Sequence, residues 1–157
     1  MIIKYIITIL LSMFITTPIG YDDDAIYQIN ELEFSYTNGY GINENVEYKI
    51  ICFYAIDAIE NCQVNVKEYG KSEEESLSNA ISYTELSKVV RMLNKYHILS
   101  WKGFSKSDSN VLDGNSFHFY LRYNDDEKLS ASGYMKYPQN YDRFKKDFEE
   151  FIVTLVK

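Results

Sequence analysis

Phe117, Phe119, Leu121 and Tyr123 alternate with His118, Tyr120 and Arg122. A period of two places one set on each side of a strand, apolar inward and polar outward. Four further segments follow the same rule. Leu32, Phe34 and Tyr36 alternate with Glu33 and Ser35, and Cys62, Val64 and Val66 alternate with Gln63, Asn65 and Lys67. Val46, Tyr48, Ile50, Cys52 and Tyr54 share a face, but Ile51 and Phe53 make the opposite face apolar too, which predicts a central strand. Asn124–Glu127 turns the chain from Tyr123 into a partner strand running from Lys128 to about Met135.

Two segments switch to helical spacing. Ser82 and Glu85 form a capping box ahead of Leu86, Val89, Val90, Leu93 and Tyr96. Tyr141, Phe144, Phe148, Phe151, Ile152 and Leu155 make one apolar stripe, with Lys145, Lys146, Glu149 and Glu150 outside it. Pro138 is placed in the first turn of that helix, where its missing N–H costs nothing. Residues 70–79 read as a charged, serine-rich loop and residues 101–115 as an irregular connection. Tight turns between neighbouring strands imply antiparallel pairing, and two amphipathic helices can cover only one sheet face. The expectation is an α+β fold, order βββαββα, with a five-stranded, mainly antiparallel sheet and both helices on one face. Residues 21–157 form a single domain.

The first twenty residues differ from the rest. Lys4 precedes an apolar run from Tyr5 to Ile15, and Pro18 and Gly20 close it. That is the pattern of a secretory signal peptide, so the expected location is periplasmic, cell-envelope or secreted. Cleavage after Gly20 would put Pro18 where a small residue is preferred, which leaves an uncleaved anchor as the alternative. No cysteine precedes Cys52, which excludes a lipid-modified cysteine directly after the signal. The abundance of Tyr, Asn, Ile and Lys is that of a bacterial chain from an AT-rich genome.

The formal charge is −7 with no basic cluster, which argues against nucleic acid and, beyond the N-terminal segment, against a membrane surface as partner. The acid runs Asp22–Asp24 and Glu73–Glu75 lack the spaced oxygen ligands and glycine of a calcium loop. Asp108 and Asn110 begin such a spacing, but Leu112 stands where the fifth-position oxygen belongs. The sequence calls for no metal and no cofactor.

Cys52 and Cys62 are the only cysteines and flank a turn centred near Asp57. A symmetrical hairpin sets them opposite each other, at the Cα separation of about 4.5 Å that a disulfide tolerates. In an exported chain the bond is the natural reading, with a reduced core pair as the alternative.

From Trp101 onward the chain carries Trp101-Lys-Gly-Phe104, Leu112-Asp-Gly114, the aromatic strand Phe117–Tyr123, Ser132-Gly133 and Tyr137-Pro138. This order resembles the tail of a loosely defined group of uncharacterised exported bacterial proteins, many of them lipoproteins. No assigned activity comes with the resemblance. Its recurrent residues are expected to be structural: Gly103 and Gly114 for turn conformations, Gly133 for close approach of a helix, Tyr137-Pro138 for the start of the last helix.

Candidate chemistry is sparse. His97 is expected to interact with the last carbonyls of the first helix. His118, Tyr120 and Arg122 lie on the polar face of their strand, and Tyr134 and Lys67 join them if their faces match. Trp101 is read either as a stacking platform for a sugar or peptide or as a plug for the end of the core. No nucleophile elbow, phosphate-cradling glycine loop or paired zinc motif occurs. The reading is an exported non-catalytic domain that binds a protein or a cell-envelope component. The alternatives are a small hydrolase or ligand-binding enzyme using His118, Arg122 and Tyr120, and an inhibitor or immunity protein with one tight protein partner.

Overall fold

The computed structural model describes residues 25–37, 45–55, 58–68 and 76–156. The predicted signal segment, both acid runs and the turn around Asp57 lie outside the described residues. The five expected strands are present as β1 (Ile29–Thr37), β2 (Val46–Ala55), β3 (Ala58–Glu68), β6 (Ser116–Tyr123) and β7 (Glu127–Tyr134). Two more complete the sheet, β4 (Leu77–Ala80) and β5 (Ser105–Ser107). The order is β4-β3-β2-β1-β6-β7-β5, seven strands rather than five. All described pairings are antiparallel except β5 with β7, which is parallel, so the sheet is mixed. The α+β class holds; the strand count does not.

Both extra strands are short edges whose side chains are all exposed. With no buried face, neither carries an apolar alternation in its sequence. Backbone bonds hold them instead. Gly103 N–H donates to the Ser130 carbonyl at 3.1 Å, Ser132 N–H to Phe104 at 2.8 Å, and Ile81 N–H to Cys62 at 2.8 Å. The link from β4 to β5 runs through α1 (Tyr83–Lys95), which carries the chain from one sheet edge to the other. The capping box at its start is formed as read, with Ser82 and Glu85 satisfying each other's backbone N–H.

The second helix, α2 (Tyr141–Leu155), begins later than the proline suggested. Asn140 precedes it in the left-handed conformation (φ 65°), which no helical residue adopts. Pro138 therefore belongs to the preceding turn, in which Tyr141 N–H donates to its carbonyl at 3.3 Å. His97 also departs from expectation: it takes φ 53° beyond α1 and its side chain makes no capping bond.

Both helices pack on one sheet face. Phe34 is fully buried at the centre, its ring 5.5–6.3 Å from those of Tyr48, Phe119, Tyr141, Phe144 and Phe148, several of them edge-on. Trp101 is 0% exposed at the end of a short 3-10 turn (Ile98–Trp101). Its ring meets Phe117, Phe119 and Phe144 edge-on, and its Nε1–H donates to the Gln139 carbonyl at 3.0 Å. A ring with both faces packed cannot serve as a surface platform; Trp101 is a core plug.

Two asparagines tie the lead-in segment to this frame. Asn94 exchanges two hydrogen bonds with the backbone of Ile26. Asn124 accepts from Tyr27 and Gln28 N–H and donates to the Ala25 carbonyl. These bonds hold residues 25–28 against the end of α1 and the turn between β6 and β7.

Candidate binding face

The sheet surface opposite the helices is built by the polar half of each alternation. Register aligns its side chains in cross-strand rows. His118 stands opposite Ser132 on one side and Ser35 on the other, and the row continues to Glu47 and Lys67. Tyr120 lies between Ser130 and Glu33, followed by Lys49. Arg122 lies between Lys128 and Glu31, followed by Ile51.

His118, Tyr120 and Arg122 thus share a face, but as a line. Residues two apart on a strand are about 7 Å apart, so the three side chains stand in file along the strand. Lys67 is on the same face as the sequence reading allowed, yet three strands from His118, about 14 Å at ordinary strand spacing. Tyr134 shares the face too, at the end of β7 opposite Ser116, and its hydroxyl donates to the Leu112 carbonyl at 2.9 Å.

Charges on the face are partly paired. Lys49 bridges Glu31 at 3.0 Å and also Glu33, and those carboxylates, Glu33 first, hold its ammonium pKa above the ordinary value. Arg122 donates to Asp126 at 3.0 Å and faces Glu31 at 3.7 Å. His118 and Lys128 make no hydrogen bond or ion pair among the described residues. At the β2 end the face turns apolar: Phe53 is 58% exposed beside half-buried Ile51. Their apolar character predicts a central place for β2 in the sheet. The strand is indeed interior to the sheet, but no described residue covers Phe53.

Tyr36, Tyr137, Tyr141, Asp142 and Lys145 line a separate cleft of about 150 Å3. Sequence reasoning missed it, because Tyr36 and Tyr141 sit on apolar stripes and read as core. Both rings do pack in the core, while their edges form a wall at its rim. Burial first, then the hydroxyl's bonds to Glu149 and Tyr48, pushes the Tyr36 phenol far above its ordinary range. Burial does the same to Tyr141.

No group of three or more His, Cys, Asp or Glu side chains among the described residues is placed to hold a metal ion. Comparison with protein-family models, curated proteins and solved structures gives no significant match.

Proposed function

We propose that the chain is an exported, non-catalytic domain that docks onto a protein of the cell envelope through its open sheet face. One observation carries this reading: polar and aromatic side chains stand in laddered rows across β3, β2, β1, β6 and β7, with exposed Phe53 at one side. Such a surface is flat and extended. It offers many weak contacts to another macromolecule and no point where three groups converge on one reacting atom. Exposed aromatic and arginine side chains of this kind supply the anchors of protein interfaces. The Cys52–Cys62 disulfide fits the export half of the proposal, since such bonds persist in oxidising compartments.

Capture experiments with purified residues 21–157 test it. Beads carrying the wild-type domain should retain a defined protein from an envelope extract. A Phe53→Ser, Tyr120→Ala, Lys128→Glu variant should lose it, while an Arg143→Glu, Glu150→Lys variant on α2 should keep it. Equal retention by both variants would refute docking on this face.

A further inference from the structure

The cleft at the rim of the core has the chemistry of a small-ligand site. One wall is the stacked pair Tyr137–Tyr141, with ring centroids 4.6 Å apart and planes within 22°. Across from it stands Tyr36, with the Lys145 ammonium 3.6 Å from its ring centroid. The Tyr141 ring is buried, yet its hydroxyl makes no hydrogen bond among the described residues. Asp142 is exposed at the same mouth and likewise has no partner among them. Tyr137 is already committed, its hydroxyl donating to the Asn115 carbonyl at 3.3 Å.

The charges decide the ligand class. Lys145 would repel a cation, and it is already partly neutralised by Glu149 Oε1 at 3.7 Å. Asp142 would repel an anion. An ammonium and a carboxylate lining one cleft favour a molecule of no net charge that both accepts and donates hydrogen bonds. The Tyr141 hydroxyl and the tyrosine edges at the mouth suit a small ligand rich in hydroxyls. A pyranose is such a ligand, and the cleft of about 150 Å3 has room for one small ring and not for an extended chain. We propose that this cleft binds one neutral pyranose unit, with Asp142 accepting from its hydroxyls and Tyr141 and Lys145 donating to them. The raised phenol pKa values mean that the tyrosines remain hydroxyl donors across the physiological range. The site lies on the α2 side of the sheet and is independent of docking on the outer face.

Nitrogen-15 correlation spectra of residues 21–157 would test the proposal, titrated with glucose, N-acetylglucosamine and its β-1,4-linked tetramer. Glucosamine and glucuronate serve as charged counterparts. At least one neutral probe should give saturable shifts clustered at residues 36–37, 115–116 and 137–145. Equal affinity for the single sugar and the tetramer would assign the site to free sugars, and tighter binding of the tetramer to a glycan. Asp142→Asn and Lys145→Met should each weaken binding about tenfold, the factor for one lost hydrogen bond, and Asp142→Asn should do so with an unchanged melting temperature. The Phe53, Tyr120, Lys128 outer-face variant should bind as the wild type does. The proposal is overturned if no neutral probe gives saturable shifts at tens of millimolar. It is equally overturned if the charged sugars bind as well, or if both substitutions leave the affinity unchanged.

Discussion

Cys52 and Cys62 face each other across β2 and β3 with their Cα atoms 4.1 Å apart, and a disulfide joins them on the helix-covered side of the sheet. Both are nearly buried, 5% and 3% exposed, among Ile50, Val64 and the rest of the core. The bond closes a short loop, so restriction of the unfolded chain contributes about 2–3 kcal/mol. Protein made through a secretory route should therefore show no free thiol by intact mass before reduction. A Cys52→Ala/Cys62→Ala variant should still fold, with a lower melting temperature. Two free thiols in natively folded exported protein would contradict the pairing.

Gly133 is fixed by space rather than by dihedral freedom. A Cβ there would lie 2.0 Å from the Lys136 carbonyl oxygen and 2.6 Å from the Phe117 ring. The close neighbour is thus the backbone just beyond β7, not the helix that sequence reasoning named. Gly103 is the reverse case, with φ +75° and nothing within 4 Å of a built Cβ. Gly133→Ala should cost about 2–3 kcal/mol, since backbone cannot yield as a side-chain end does. Gly103→Ala should cost about 1–2 kcal/mol for the left-handed conformation. Urea melts of the two variants test the order. Gly114, expected to be a turn glycine, does not have a positive φ; a Cβ there would press on the movable Met135 side chain.

Asn124 should govern the lead-in segment. It takes φ 50° and makes three bonds to the backbone of residues 25–28. Asn124→Ala removes all three and places a side chain with no αL preference there, for about 2 kcal/mol. Hydrogen exchange should show the Tyr27 and Gln28 amides losing protection while β6 and β7 keep theirs. Unchanged protection at Tyr27 would show that the clamp does not hold the segment.

The two helices meet through Asp147, which accepts from Tyr96 and from Lys95 at 2.9 Å. Tyr96 first, then Lys95, holds the Asp147 carboxyl below its ordinary pKa. The stabilisation is therefore full above the unfolded value near pH 3.9 and is lost as pH falls through the lower folded value. The carboxylate is 36% exposed, so solvent screening limits it to about 0.5–1 kcal/mol. Asp147→Asn should melt slightly earlier at pH 7, and the gap to wild type should close as pH falls through the lowered carboxyl value. A gap that persists at low pH would assign the loss to packing.

The strands that bury a face were readable because burial enforces a period of two, as at Phe117–Tyr123, and the helices because Ser82–Glu85 and the Tyr141–Leu155 stripe obey local rules. β4 and β5 left no trace, since Leu77–Ala80 and Ser105–Ser107 bury nothing and are held by backbone pairing with β3 and β7. The outer face could be drawn from alternation alone, yet which residues stand in one row depends on register across five strands. The tyrosine cleft was illegible for another reason. It joins Tyr36 to Tyr141 and Lys145, positions about a hundred residues apart that only packing brings together.

Photo-cross-linking in the envelope tests docking on the open sheet most directly. A photoreactive amino acid is placed singly at His118, Lys128 or Asn65 on the outer face, and at Arg143 or Glu150 on α2. The account predicts that the three outer-face positions give the same discrete higher-mass adduct and that the two helix positions give none. Adducts from the helix positions alone, or from none of the five, would contradict it.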